Sequence, residues 1–201
     1  MIEAGIPLGV EQPKSFEFTA ENLAKAKQHM AKYPAGRQQS AIMPLLWLAQ
    51  WQHGWLPTVA IAYCAKLLDM PEIRAFEVAA FYTQYNRHPV GKHHIQVCTS
   101  TPCMIRGSDE LMDVCKKHLH VEENGTTPDG EFSLVQVECL GACVNAPMVQ
   151  INLDTFEDLT PDNFIALLDN LKSGKAVKVG SQTGRQTSCA TTGPTTLKEG
   201  V

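Results

Sequence analysis

Hydrophobic residues in the first half of the chain recur with the 3.6-residue period of a helix. Within residues 38–53, the positions i, i+3, i+4 and i+7 are apolar, and they are Ile42, Leu45, Leu46 and Ala49. Pro44 should begin or bend this helix because proline removes an interior hydrogen bond, and Gly54 should end it. The pattern predicts an amphipathic helix in the middle of a helical region.

Two more helices are predicted on either side of this one. Thr19 can cap a first helix, whose apolar stripe holds Leu23, Ala26 and Met30. Pro57 opens another helix, which is almost entirely apolar as far as Leu68. An almost entirely apolar helix is expected to lie in the core of a bundle.

A fourth helix is predicted after Asp69, because Asp69 and Glu72 have the spacing of a capping box and Pro71 suits a first turn. Its predicted apolar face consists of Ile73, Phe76, Ala80 and Phe81. Together the four helices predict a helical bundle over residues 16–88, preceded by an N-terminal extension over residues 1–15.

From residue 89 onward the hydrophobic period changes from helical to alternating. Residues 94–98 alternate as in a strand, and two later strands are predicted from Val135, Val137, Cys139 and from Val149, Ile151, Leu153. Helices are predicted after Ser108, with Leu111, Met112, Cys115 and Leu119 inside, and after Thr160. This order predicts a small mixed α/β domain over residues 89–172. Residues 173–201, rich in Gly, Ser and Thr, predict an extended tail that would not fold alone.

The composition excludes several classes of function. The chain has 21 acidic and 17 basic residues and a net charge of −4, so nucleic-acid binding has no electrostatic support. No apolar run reaches the roughly 20 residues that span a bilayer, so direct membrane insertion is not expected. The N-terminus lacks the pattern of a signal peptide, which favours a reducing compartment. There, seven cysteines are expected as core residues, metal ligands or redox groups rather than disulfides.

Four of the cysteines are candidates for one metal centre. Cys98 and Cys103 follow the first predicted strand, and Cys139 and Cys143 follow the second. Strand ends can bring such loops together, and four thiolates suit an iron–sulfur cluster. Structural zinc and unliganded thiols remain open alternatives, since zinc sites also use paired cysteines. The apolar loop between Cys139 and Cys143, where Gly141 permits close approach of the backbone, favours iron and sulfide.

The remaining chemistry-bearing side chains are expected to have structural roles. Cys64 and Cys115 fall on apolar helix faces, whereas Cys189 is expected as a free thiol at a contact surface. The histidines near the domain are expected to be solvated or capping, and they are His93, His94, His118 and His120. Because no glycine-rich phosphate loop follows a strand, the chain should not bind NADH by itself.

Several motifs together resemble a known family, the E subunits of NADH:quinone oxidoreductase (respiratory complex I). The two cysteine motifs are Cys98-Thr99-Ser100-Thr101-Pro102-Cys103 with Arg106-Gly107-Ser108, and Glu138-Cys139-Leu140-Gly141-Ala142-Cys143 with Asn145-Ala146-Pro147. The others are Trp51-Gln52-His53-Gly54-Trp55-Leu56-Pro57, Phe81-Tyr82-Thr83 and Gly184-Arg185-Gln186-Thr187-Ser188-Cys189. The resemblance extends over nearly the whole chain.

The resemblance implies an α+β protein, in which a helical bundle precedes a thioredoxin-like ferredoxin domain. It implies one [2Fe–2S] cluster held by Cys98, Cys103, Cys139 and Cys143, and no substrate site of its own. It also implies that the chain exchanges single electrons with the FMN of the NADH-binding subunit, its principal partner, and contacts the large iron–sulfur subunit of the peripheral arm.

Such an arm lies on the cytoplasmic side of the bacterial inner membrane, or on the matrix side in a mitochondrion. Two alternatives remain for the function. One is a cluster-bearing small subunit of an NAD-linked hydrogenase or formate dehydrogenase. The other is an interaction module stapled by zinc, without redox function.

Overall fold

The computed structural model describes residues 10–186, 188–189 and 192–193, and it divides into two compact units between Pro89 and Val90. The α-helices are α1 (Ala20–Met30), α2 (Ile42–His53), α3 (Thr58–Leu67), α4 (Glu72–Phe81), α5 (Thr101–Ile105), α6 (Ser108–His118) and α7 (Pro161–Lys172). The strands are β1 (His93–Cys98), β2 (Phe132–Val137), β3 (Val149–Ile151), β4 (Asp154–Glu157) and β5 (Gly180–Ser181). Helices followed by a mixed domain confirm the predicted fold class. Residues 1–9 of the predicted N-terminal extension lie outside the described residues.

The first unit contains α1 to α4 around one apolar core. The Thr19 side chain accepts a hydrogen bond from the Asn22 amide and caps α1, as predicted. A 3₁₀ turn leads into α2, where Pro44 lies in the first turn and its missing N–H leaves no interior hydrogen bond broken. Gly54, at a φ of 91°, ends α2 in the left-handed conformation. None of the helices in the described part of the chain is long and apolar enough to cross a membrane.

The start of α4 differs from the prediction. Asp69 has a φ of 49° and belongs to the turn that ends α3, where the Met70 amide donates to the carbonyl of Ala65. The residue that precedes α4 is Pro71, and no side chain caps the helix. The predicted capping box is therefore wrong, because Asp69 forms part of the turn that follows α3 and does not cap α4.

The buried face of α4 also differs from the prediction. Ala75 and Ala79 are buried, whereas 64% of Ile73 and 78% of Phe81 are exposed. Small side chains allow α4 to approach α3 closely, and the larger apolar residues then lie outside. Helical periodicity predicted the position of the helix but did not identify which of its two apolar faces packs against α3.

The second unit is built on a five-stranded sheet in the order β2-β1-β3-β4-β5. β1 runs parallel to β2 and antiparallel to β3, and β3 and β4 form a hairpin. Side chains of α6 and α7 complete the core with the sheet. The largest of these core residues are Phe132, Phe156, Phe164, Ile95, Leu111, Leu134 and Leu168.

The structure corrects the predicted register of two strands. β2 begins at Phe132, and its buried apolar side chains are Phe132 and Leu134 rather than the predicted valines. β3 ends at Ile151, so Leu153 lies in the hairpin turn and is 61% exposed. Both strands are short, and a period of two gives little information over three to six residues.

Three elements of the second unit were not predicted from the sequence. β4 follows the hairpin turn, α5 occupies the segment after β1, and β5 arises from the tail by pairing in parallel with β4. The predicted cap of α6 also moves by one residue, since Gly107 precedes the helix and Ser108 is its buried first residue. α7, in contrast, begins at the predicted cap, where Thr160 and Asn163 form a reciprocal capping box.

Candidate metal centre

The four predicted cysteines gather at one edge of the sheet. Cys98 is the last residue of β1 and lies opposite Val137, the last residue of β2. Because β1 and β2 are parallel, their carboxyl ends meet, and Cys139 follows two residues after β2 ends. Cys103 lies in α5, the short helix that β1 leads into. The topology thus brings together two loops that are far apart in the sequence.

The sulfur atoms form two neighbouring pairs. The Sγ atoms of Cys139 and Cys143 lie 3.2 Å apart, and Cys98 is close enough to Cys103 to raise the pKa of its thiol. Cys143 interacts electrostatically with both Cys98 and Cys103, so the pairs adjoin each other. Cys98 and Cys103 are buried, whereas Cys139 and Cys143 are exposed. The site therefore has an inner pair and an outer pair of thiols.

The environment makes ionisation of the thiols unequal. Burial and the neighbouring Cys98 raise the pKa of Cys103 to about 11. The backbone of Met148 has a smaller effect in the opposite direction. The contact with Cys143 and a hydrogen bond from the Gly141 amide lower the pKa of Cys139. The same contact raises the pKa of Cys143. A buried thiolate of this kind requires a nearby cation for charge balance, which bound metal provides.

The backbone of the outer loop is suited to a sulfur-rich centre. Gly141 has a φ of 91°, a conformation that glycine adopts without strain, and its backbone lowers the pKa of Cys139. Backbone N–H groups directed at sulfur stabilise thiolate ligands. Cys98 and Cys103 pack with Ala146 and Met148, so the inner side of the site is apolar.

Polar contacts join the two cysteine loops. The Ser100 hydroxyl donates to Oε2 of Glu138 at 2.7 Å, and the side-chain amide of Gln136 donates to the Thr99 hydroxyl at 2.6 Å. The Thr99 amide donates to the carbonyl of Val137 at 3.1 Å. These bonds engage Ser100 with the opposite loop and Thr99 with the end of β2, so both hydroxyls link the first cysteine loop to the second cysteine segment.

The donor set fits a [2Fe–2S] cluster. It consists of four thiols, with two from each loop, in an apolar setting with a backbone donor, which is the ligand chemistry of iron–sulfur proteins. Among the described residues, no three His, Cys, Asp or Glu side chains are grouped to hold a single metal ion.

Four exposed apolar side chains are neighbours of the cysteines in the sequence. Each follows a cysteine closely in the sequence, and they are Met104, Ile105, Leu140 and Val144. Their exposed fractions range from 40% at Leu140 to 74% at Ile105. We call these four residues the apolar rim. Exposed apolar groups concentrated around a site are typical of a surface that binds another protein.

The other cysteines and two of the histidines have separate environments. Cys64 and Cys115 are fully buried in the cores of the two units, and burial raises the pKa of each to about 12. Cys189 is exposed. His93 stacks on Phe132, and His118 pairs with Asp169 at 2.8 Å. The predicted structural roles of Cys64 and Cys115 agree with these positions.

A polar network beside the outer loop was only partly visible in the sequence. Asp158 is buried, and it pairs with Arg185 of the tail at 2.9 Å. Its amide donates to the carbonyl of Asn145, two residues after Cys143. Asn145 and Arg185 each occur in a motif of the sequence, but no local pattern marks Asp158. Its role depends on tertiary contacts.

The chain is similar to several known proteins. The profile described as thioredoxin-like [2Fe-2S] ferredoxin matches residues 26–172. The E subunit of NADH-quinone oxidoreductase from Rickettsia bellii is 54% identical over 160 residues, which cover 79% of this chain and 96% of that protein. The mitochondrial NADH dehydrogenase [ubiquinone] flavoprotein 2 of Dictyostelium discoideum is 50% identical, over 92% of this chain and 75% of that one.

A solved structure is similar at the level of the fold alone. The NAD⁺-reducing [NiFe]-hydrogenase in its H₂-reduced state aligns with a TM-score of 0.58 at 18% identity. The alignment covers 66% of this chain but only 23% of the hydrogenase chain. In contrast, the two relatives above are about 50% identical to this chain over most of its length. The profile match also extends over most of the chain. The chain therefore belongs to the thioredoxin-like [2Fe–2S] ferredoxin family.

Proposed function

We propose that this chain is the E subunit of an NADH:quinone oxidoreductase, and that it carries single electrons through a cluster held by Cys98, Cys103, Cys139 and Cys143. The observation that carries the proposal is the convergence of these four thiols at the carboxyl ends of two parallel strands. When bound, a [2Fe–2S] cluster supplies reversible one-electron oxidation and reduction. The relatives that bear the E-subunit name support this assignment over the hydrogenase alternative.

The inner and the outer thiols have different roles in holding such a centre. The inner thiols, Cys98 and Cys103, are buried, so they anchor it and exclude water on that side. The outer thiols, Cys139 and Cys143, lie at the surface, so electrons enter and leave on this side. The Gly141 amide offsets part of the negative charge at Cys139.

The apolar rim is the proposed docking surface for the partner subunit. Its four side chains lose unfavourable contact with water when a second protein covers them. Because each rim residue follows one of the proposed ligands closely in the sequence, a partner bound here would bring its own redox group close to the centre. We assign this partner as the NADH-binding subunit that carries FMN, with the large iron–sulfur subunit as a further neighbour. The complex would present this chain in the peripheral arm, on the cytoplasmic or the matrix side of the membrane.

The first experiment tests the metal centre. Purified chain is expected to contain about two iron atoms, to absorb visible light and to give a rhombic one-electron EPR signal on reduction. Cys139→Ala should lose the iron, while circular dichroism shows that the helical unit stays folded. Cys64→Ala is the matched control, since Cys64 is buried in the other unit, and it should keep the iron. A zinc-containing, colourless protein contradicts the proposal.

The second experiment tests the docking surface. Ile105→Lys and Val144→Lys place charges on the rim and should prevent association with the purified FMN subunit, while the EPR signal is retained. Leu153→Lys is the control, because Leu153 is 61% exposed in the turn at the opposite end of the sheet. Equal association of all three variants contradicts the assigned surface.

A further inference from the structure

Asp158 has a backbone conformation that needs support from its surroundings. It lies between β4 and α7, with a φ of 54°, in the left-handed region that non-glycine residues seldom adopt. Its side chain is only 8% exposed. A buried carboxylate on a strained backbone persists only where neighbouring groups fix it.

The tail supplies those groups. Nη2 of Arg185 lies 2.9 Å from Oδ1 of Asp158, and the Ser181 hydroxyl donates to Oδ2 at 2.6 Å. The Arg185 amide in turn donates to the Ser181 hydroxyl at 3.1 Å. Both oxygens of the carboxylate are thus engaged by the tail, and the Arg185 side chain is itself only 18% exposed.

The backbone of the same segment holds the outer cysteine loop. The Asp158 amide donates to the carbonyl of Asn145 at 2.8 Å, and the Leu159 amide donates to the carbonyl of Pro147 at 3.2 Å. The Asn145 amide donates to the carbonyl of Ala142, and its side-chain amide donates to Glu157. Asn145 is therefore fixed from both sides, two residues from Cys143.

A groove lies between the outer loop and the tail. Its volume is about 600 Å³, and it is lined by Leu140, Gly141, Val144, Val179 and Arg185, among others. Where side chains do not fill the space behind a loop, hydrogen bonds determine its position. Asp158 connects residues that line both sides of this groove, since its amide bonds to Asn145 and its carboxylate pairs with Arg185.

We propose that Arg185 is a positioning residue for the loop Cys139–Cys143, and that it acts through Asp158. Arg185 keeps the carboxylate and backbone of Asp158 in place, and Asp158 then fixes Asn145 and the spacing of the outer thiols. The inference rests on the proposed function, since it concerns the loop that supplies two of the proposed ligands. The tail, which the sequence predicts only as an extension, would thus determine how firmly the cluster is retained.

The test compares cluster release from the full chain purified with its iron. Arg185→Met keeps most of the side-chain volume but removes the charge and the donors. We expect this variant to release iron to a chelator about tenfold faster than the unchanged protein and to show altered g values in the EPR spectrum. Arg185→Lys should restore most of the retention, because one amino group can still pair with Asp158. Arg74→Met, at an exposed arginine of the first unit, should have no effect.

A second control separates positioning from loss of overall stability. Leu171→Ala shortens a side chain packed against the second core, away from the network, and it should lower the melting temperature without changing the g values. The proposal is overturned if Arg185→Met releases iron at the unchanged rate with an unchanged EPR spectrum. It is also overturned if Leu171→Ala reproduces both effects at an equal loss of melting temperature. Iron loss in Cys139→Ala with no effect of Arg185→Met would leave the proposed function standing alone.

Discussion

The Ser100 hydroxyl donates a hydrogen bond of 2.7 Å to Oε2 of Glu138, and this bond joins the two cysteine loops. Ser100 lies between Cys98 and Cys103, and Glu138 immediately precedes Cys139. The bond therefore holds a carboxylate beside the candidate cluster, where its negative charge disfavours ionisation of Cys139. A charge in this position should affect the reduction potential as well.

The first prediction is that Glu138→Gln raises the midpoint potential of the cluster. Reduction adds one negative charge, so removal of a nearby negative charge stabilises the reduced form. The side chain is exposed and largely screened by water, so we expect an increase on the order of 30 mV. Gln keeps an acceptor oxygen for Ser100, which preserves the link between the loops. A potentiometric titration followed by EPR measures the shift.

Two controls test whether the shift in potential originates from the charge of Glu138. Glu131→Gln removes a charge at the other end of β2 and should leave the potential almost unchanged. The shift in Glu138→Gln should shrink at high salt, because exposed charges are screened. A potential that stays constant or falls in Glu138→Gln contradicts the electrostatic argument.

The sequence was sufficient for the parts of the fold that local interactions determine. α1 and α7 begin at their predicted caps because Thr19 and Thr160 bond to backbone amides only three residues away. The sequence identified the two pairs of cysteines as candidates, but the parallel pairing of β1 and β2, which brings the carboxyl ends of these strands together, came from the structure. Ligation of one cluster by all four thiols stays a prediction.

The remaining features depend on contacts between distant residues. α4 has two plausible apolar faces, and only its close packing on α3 selects the one with Ala75 and Ala79. β5 forms because β4 offers an edge, and Asp158 acquires its role through Arg185. β4 and β5, like Asp158 and Arg185, are separated by more than twenty residues, so periodicity and capping signals carry no information about these pairs.

The second prediction concerns Gly91, where the chain passes closely over β2. Its amide donates to the Ser133 hydroxyl at 2.6 Å, and a Cβ atom here would lie 2.7 Å from the carbonyl carbon of Phe132. Gly91→Ala must displace backbone, so we expect the second unit to lose about 2–4 kcal/mol of stability. Gly130→Ala is the control, because its Cβ meets open space at a φ of 72°, and it should cost about 1 kcal/mol. Urea unfolding compares the two, and equal losses contradict the close approach.

The third prediction distinguishes the core cysteines from the candidate ligands. Cys64→Ser and Cys115→Ser each place a hydroxyl in a fully buried apolar position, which should cost about 1–3 kcal/mol. Neither residue belongs to the cysteine cluster, so both variants should keep their iron and EPR signal. Thermal unfolding and iron analysis on the same samples test both statements. Loss of iron from folded Cys115→Ser would show that the cysteine roles are assigned wrongly.

The fourth prediction is a dependence of stability on pH that originates at His93. The ring stacks on Phe132 with centroids 5.3 Å apart, and its buried Nε2 has no hydrogen-bond partner among the described residues. Burial lowers the pKa of His93 from the ordinary value of 6.5, and the neighbouring Lys92 lowers it further. Glu131 raises this pKa by a smaller amount. The folded protein thus resists protonation at this site more than the unfolded chain does.

The sign follows from the lowered pKa. Above pH 6.5 His93 is neutral in both states and carries no penalty, whereas below that pH the unfolded chain binds the proton first. Stability should therefore fall as the pH decreases from about 6.5, until the folded protein also becomes protonated. His93→Phe keeps the stacking on Phe132 but cannot titrate, so its stability should decline less between pH 7 and pH 5. His29 and His88, whose pKa values burial also lowers, remain in both proteins and contribute equally. Melting temperatures measured across this range test the difference, and parallel curves for the two proteins would assign the pH dependence to other groups.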